Sequence, residues 1–136
     1  MIFSRSSQYA FELILYIVKH DYKNYISLNI IAEDLELSFH FLGKIAQPLV
    51  KKGFLASFRG PYGGVKLAKD PKEISHYDIL VAIEGEAIFE NCMLRPVKCD
   101  SNHQCPIHDF DSGLRDNVKQ AFKNQTFDIY INNDNK

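Results

Sequence analysis

The stretch from Phe54 to Lys69, F-L-A-S-F-R-G-P-Y-G-G-V-K-L-A-K, admits few folds. Arg59 to Gly64 places three glycines and a proline within six residues, a density that ends a helix and marks a turn. The flanking runs are short and apolar-rich, so Phe54–Phe58 reads as one strand and Val65–Lys69 as its return. Small glycines at the tip also let the backbone approach a partner closely.

The residues before this hairpin carry a helical period of about 3.6. Residues 7–19 form a helix with Ala10, Leu13, Ile14, Ile17 and Val18 on one stripe, and Asp21–Tyr25 is a polar connection. Ser27 caps a short helix bearing Leu28, Ile31, Ala32 and Leu35. After a break at Glu36 and Leu37, Ser38 caps a second helix with Leu42, Ile45, Ala46, Leu49 and Val50 on one face. Gly53 suits its C-terminal stop. Pro48 removes an amide donor and crowds the carbonyl of Lys44, which predicts a kink or a loosened turn. Two amphipathic helices across a short break form a helix-turn-helix, and the hairpin directly after it makes a winged helix. The wing tip carries Arg59 and Tyr62.

Beyond the wing, Ser75 caps a helix with Asp78 at the capping-box position, Ile79–Ile83 fill it and Gly85 ends it. A last helix runs from about Asp111 to Lys123, with Leu114, Val118, Ala121 and Phe122 on one side. The polar tail Asn132–Lys136 is expected to fray.

With 136 residues, 46% apolar and 24% charged, the chain fits one globular domain. No run reaches the roughly 18–20 apolar residues of a membrane span, and the N-terminus lacks the pattern of a secretory signal, so a cytoplasmic protein is expected. There is no Gly-rich phosphate loop, nucleophile elbow or H-E-x-x-H motif, so an enzyme is not expected. The net charge of −1 is unevenly spread. Residues 38–72 hold seven Lys or Arg against one acid, whereas residues 73–136 hold six against eleven. The basic block is an electrostatic footprint for phosphate, or else a solvated basic face.

In a helix-turn-helix the start of the second helix enters the major groove. Its outward residues here are Ser38, Phe39, His40, Gly43, Lys44 and Gln47. Ser, His, Lys and Gln meet base edges, and Phe39 suits a thymine methyl. Lys51 and Lys52 suit phosphates, and Arg59 on the wing suits a narrow, electronegative minor groove. The bland reading makes His40 and Gln47 ordinary surface residues and Phe39 a staple onto the first of the two helices.

All three cysteines lie in C-M-L-R-P-V-K-C-D-S-N-H-Q-C-P-I-H, residues 92–108, spaced C-x6-C-x5-C with a following C-x2-H. An odd number argues against a closed disulfide framework, and clustered cysteines in a reducing compartment point to metal or thiol chemistry. The gaps exceed the roughly two to four residues usual between zinc-finger cysteines, so spacing alone names no metal. The bland readings are a buried apolar Cys92 and a His108 paired locally with Asp109 or Asp111, with His103 as a reserve ligand. His20 and His76 read as surface residues at helix ends, and Glu84, Glu86 and Glu90 as a solvated acidic stretch.

The wing R-G-P-Y-G-G-V-K-L-A-K, the opening Gln8-Tyr9-Ala10 and the run I-A-E-D-L-E-L-S-F-H-F-L-G-K-I-A-Q-P-L-V-K-K-G-F-L resemble the Rrf2 family of bacterial winged-helix regulators, from Ser4 to Ile129. The cysteine segment is most similar to the iron–sulfur cluster regulator branch. The resemblance implies a mainly α fold with a small β-hairpin, organised as a winged-helix DNA-binding domain (1–85), a cysteine-containing cluster-binding loop (86–110), and a dimerisation helix and tail (111–136). It implies a homodimer, paired through Leu114, Val118 and Phe122, on a palindromic double-stranded operator. It also implies an iron–sulfur cluster, [2Fe–2S] in that branch, held by Cys92, Cys99, Cys105 and His108. The first cysteine gap is one residue longer than in that branch, and Gly43 replaces a glutamate that takes part in its operator choice. A [4Fe–4S] site of the family's nitric-oxide-sensing type would need an acid where this chain has Gln8. The expected function is a transcriptional regulator whose operator binding is modulated by the cluster. The alternatives are an apo, cluster-free regulator switched by thiol redox or a partner protein, and an iron–sulfur electron carrier. A carrier would normally supply four cysteines.

Overall fold

A computed structural model describes residues 3–60, 63–91 and 108–131, and leaves aside the side chains of 108–112. Five helices and one antiparallel hairpin follow in the order α1 (Arg5–His20), α2 (Leu28–Asp34), α3 (Phe39–Lys51), β1 (Leu55–Phe58), β2 (Gly64–Leu67), α4 (His76–Glu84) and α5 (His108–Asn124). Short 3-10 turns cover Pro71–Glu73, Glu86–Phe89 and Phe127–Tyr130. The fold is mainly helical with a wing, as the sequence predicts.

The stripes read from the sequence face one core. Leu13, Ile14 and Ile17 of α1, Ile31 of α2, Leu42 and Leu49 of α3, and Ile79 of α4 are fully buried there. Burial of each such side chain is worth about 1.5–3 kcal/mol. A second cluster, Leu80, Ile88 and Phe89, takes Val118 and Phe122 of α5. Leu114, placed by sequence on the same side as these two, is 37% exposed, and Ala121 is exposed. The buried face of α5 therefore runs through Val118, Phe122 and also Arg115, three residues before Val118, whose Nη1 donates to the Phe89 carbonyl at 3.0 Å.

The two helices of the helix-turn-helix end in the same way. After α2, Glu36 adopts φ 57, its amide donates to the Glu33 carbonyl and that of Leu37 to the Ala32 carbonyl. After α3, Gly53 adopts φ 85, with its amide on the Val50 carbonyl and that of Phe54 on the Leu49 carbonyl. Both are paired-carbonyl stops that require one left-handed residue. Gly53 supplies it without steric cost, whereas a Cβ-bearing residue such as Glu36 does so at about 1–2 kcal/mol. Helix α3 continues through Pro48 to Lys51.

Caps tie the elements together. Ser75 and Asp78 form the predicted capping box, each side chain accepting the other's amide at 3.0 Å. Ser38 accepts the Phe41 amide at 3.0 Å, but Ser27, also expected to cap, makes no side-chain bond to its helix. Glu84 is not part of a solvated stretch. Its Oε1 accepts from the Ser4 amide at 2.8 Å and the Ser7 hydroxyl at 2.7 Å, fastening the end of α4 to the start of α1. Burial pushes its pKa up, but these hydrogen bonds outweigh burial and hold it below the ordinary value.

His76 also departs from expectation: it is 7% exposed, not a surface residue. The C-terminal turn folds back over it, with the His76 amide on the Gln125 carbonyl and the Phe127 amide on the Ile74 carbonyl. Its ring stacks on Tyr130 at 5.6 Å and meets Phe127 and Phe11 edge-on at 4.9 and 5.0 Å. Burial lowers its pKa from the ordinary 6.5. The unfolded chain therefore takes up the proton first as pH falls. His76 contributes stability that is complete above pH 6.5 and lost as pH falls through the lowered value. Melting temperatures measured from pH 7.5 down to 5 are expected to fall, and His76→Phe is expected to flatten that decline.

Candidate nucleic-acid interface

The buried face of α3 leaves the opposite face to solvent. Phe39, His40, Lys44, Gln47, Lys51 and Lys52 are all exposed, as is Arg59 at the end of β1. Between α3 and the hairpin lies an open groove of about 650 Å³. Of the residues singled out from sequence, Phe39, Gly43, Gln47, Lys51 and Arg59 line it. Among the described residues that line it there is no acid. Lys51 and Arg59 thus set its sign, with no nearby carboxylate in the lining to offset them.

The other sequence candidates fall elsewhere. Ser38 is engaged as the α3 cap, although its hydroxyl hydrogen remains free to donate. Lys44 borders a separate depression with Ser4, Ser6 and Ile83, on the α1 side of α3. Lys52 sits at the end of α3 and does not line the groove. Phe39 is 46% exposed, so it is not a staple onto α2. Tyr62 lies outside the described residues. A Cβ at Gly43 would meet only Leu28 Cδ2, at 3.9 Å, an ordinary contact. Packing does not demand glycine there; its absent side chain keeps the groove open.

What holds the wing against the helices is a contact no local pattern announces. Ile26 and Val65 exchange both backbone hydrogen bonds at 2.9 Å, so the residues before α2 form a third rung beside β2. A Cβ on Gly64 would lie 2.0 Å from the Ile26 carbonyl oxygen. Ser27 and Asn29 enter the groove lining through this bridge, and sequence reading missed both. Phe58, at the end of β1, lines it too and was read only as a strand residue.

The metal-ligand candidates Cys92, Cys99 and Cys105 lie outside the described residues, as do the reserve His103 and the tail from Asn132. His108 is the first residue of α5, three positions before the predicted helix start, and its side chain is not described. The segment's near end is described. The Asn91 amide donates to the Ala87 carbonyl, and Phe89, stacked on Tyr77 at 5.4 Å, is tied to α5 through Arg115. Among the described residues no group of three or more His, Cys, Asp or Glu side chains could hold a metal ion. Among them, too, no helix is long and apolar enough to cross a membrane.

Comparison with known proteins gives concordant results. The family model described as Rrf2, iron-dependent transcriptional regulator, matches residues 3–133. The HTH-type transcriptional regulator IscR of Pectobacterium atrosepticum is 28% identical over 98% of this chain and 80% of its own length. The structure of CymR, the global cysteine regulator of Bacillus subtilis, superposes with a TM-score of 0.79 at 27% identity, covering 96% of each chain. The oxidized form of Staphylococcus aureus CymR does so with a TM-score of 0.76 at 28% identity, covering 98% of this chain and 97% of its own.

Proposed function

This chain belongs to the Rrf2 family of transcriptional regulators, and from that premise we propose that it reads a palindromic operator as a homodimer and that an iron–sulfur cluster in residues 92–108 modulates the binding. It is a DNA-binding regulator by family and not an enzyme. The observation that carries the operator reading is the acid-free groove between α3 and the wing, with Lys51 and Arg59 on its walls. The start of α3 offers Ser38, Phe39, His40 and Gln47 to base edges in the major groove, with Lys44 flanking them on the α1 side of the helix. Lys51 and Lys52 take phosphates, and Arg59, with Tyr62 beyond it, follows the neighbouring minor groove. Among the described residues of α5, exposed Leu114 and Ala121 are apolar surface left for a second copy, Val118 and Phe122 being half-covered within the chain.

The donor set fits an iron–sulfur cluster. Thiolates of Cys92, Cys99 and Cys105 and the imidazole of His108 are ligand types known to hold [2Fe–2S] centres. When bound, such a cluster supplies a centre that responds to electron transfer and oxidants. The chain's own part is to hold the segment's ends: Arg115 fixes Phe89, three residues before Cys92, onto α5, which begins at His108. A change within 92–108 therefore bears on α5 and on the cluster of Leu80, Ile88 and Phe89, and through α4 on the core that seats α3. The second reading is a cluster-free thiol switch. The likeness to an oxidized form of S. aureus CymR favours it, since thiols alone change state with oxidant.

Selection from a random-sequence duplex pool tests the operator reading. The expected winner is an inverted repeat with half-sites about 34–36 Å apart or a multiple of that. It is expected to be bound by a species of twice the 15.6 kDa chain mass in light scattering. Recovery of no sequence preference, or a monomeric mass, would contradict it.

A further inference from the structure

The side of the wing turned away from the core is not the polar surface a solvated hairpin normally shows. Side chains alternate along strands. Leu55, Val65 and Leu67 point into the core, so Ala56, Phe58 and Lys66 face the other way. Phe58 is 58% exposed, and its cross-strand partner is Gly64, which offers no side chain to cover it. Beside it Tyr25 is 39% exposed, with ring centroids 5.9 Å apart. The Lys66 ammonium sits 4.8 Å over the Tyr25 ring. Two exposed aromatic rings and a cation thus form a platform bounded by glycine and alanine.

We infer that this Tyr25–Phe58–Lys66 platform is a DNA-contacting surface that packs on the deoxyribose and phosphate wall beside the wing, adding a salt-insensitive part to the affinity. The inference rests on the operator reading above. Two observations choose the occupant. Phe58 belongs both to the platform and to the α3–wing groove, so a duplex seated in the groove meets the platform without a gap. The charge suits a polyanion: Lys66 stands on the platform, and Arg59 follows Phe58 directly. Apolar ring burial against sugar releases no counterions, whereas a phosphate contact does. The two kinds of contact therefore separate in a salt titration.

The test is binding of the selected operator duplex by fluorescence anisotropy over a range of potassium chloride concentrations. Phe58→Ser is expected to weaken binding about tenfold at every salt concentration with the slope of log affinity against log salt unchanged, and Phe58→Tyr to restore it. Arg59→Ala is expected to flatten that slope by about one. Unchanged affinity in Phe58→Ser, or a flattening equal to that of Arg59→Ala, overturns the inference. Because a substitution can also loosen the hairpin, p-benzoylphenylalanine is placed at position 58 and irradiated on the duplex. Cross-links to DNA support the platform; cross-links only between protein chains, or none, overturn it. Should no operator be selected, the same cross-link to a generic 40-base-pair duplex would retain the platform while the operator reading fails.

Discussion

Gly64→Ala is expected to cost about 2–4 kcal/mol of stability, lower the melting temperature on the order of 10 °C and remove operator binding. The added methyl would lie 2.0 Å from the Ile26 carbonyl oxygen, 2.4 Å from its carbon and 2.8 Å from the Ser27 nitrogen. All three are backbone atoms, so no flexible side chain can turn aside. Relief requires β2 to part from Ile26, which breaks both 2.9 Å hydrogen bonds of the bridge. Each such bond is worth about 0.5–1.5 kcal/mol net, and leaving its groups unpaired costs more. The wing would then lose its register against α3, and Arg59 its place across the groove from Lys51. Thermal melting followed by circular dichroism, with anisotropy on the same sample, checks both halves. Near-wild-type melting and binding would show that the close approach of Gly64 to Ile26 is not what seats the wing.

Replacing Cys92, Cys99 and Cys105 together by alanine is expected to abolish bound iron and switching while leaving the fold intact. The described core is assembled from other residues, so no cavity in it is opened. Coupling between an effector and DNA typically amounts to a 5–150-fold change in affinity, about 1–3 kcal/mol. In the triple variant that ratio is expected to collapse to one, measured as operator affinity with and without oxidant. His108→Ala is expected to keep some iron but lose it faster on dilution, because three thiolates remain. If the triple variant still changes affinity with oxidant, neither the cluster nor the thiol switch operates through this segment.

Much of the architecture was legible because it is written locally. The capping box Ser75–Asp78, the stop at Gly53 and the inward stripes of α1 and α3 each depend on residues within a turn or two. The glycine-rich turn placed the wing, and the charge count by segment put Lys51 and Arg59 in one basic block; that they line the same groove is a matter of the fold. What escaped was long-range. His76 stands where a helix start normally meets solvent, and only the return of Phe127 and Tyr130, some fifty residues later in sequence, buries it. Ile26 shows no strand period because a single bridge sets its role. Phe58 reads from sequence only as a strand residue and Tyr25 only as the end of a polar connection; their exposure side by side follows from the glycine opposite Phe58 and the outward side of the hairpin. Arg115 entered the sequence reading only as one of the charges counted in residues 73–136, yet it is the buried link to Phe89. In the cysteine segment, which lies almost wholly outside the described residues, three thiols and two histidines within seventeen residues restrict what it can hold by composition alone.

We propose that one polypeptide joins an α3–wing operator surface to an iron-holding segment. The most direct measurement is an absorption and Mössbauer spectrum of freshly purified anaerobic protein, followed by its operator affinity before and after iron is removed from that sample. The expected spectrum is that of a [2Fe–2S] cluster with one histidine ligand, and the expected affinity shifts at least fivefold on iron removal. Protein that holds no iron after anaerobic purification and reconstitution, with one affinity throughout, would contradict it.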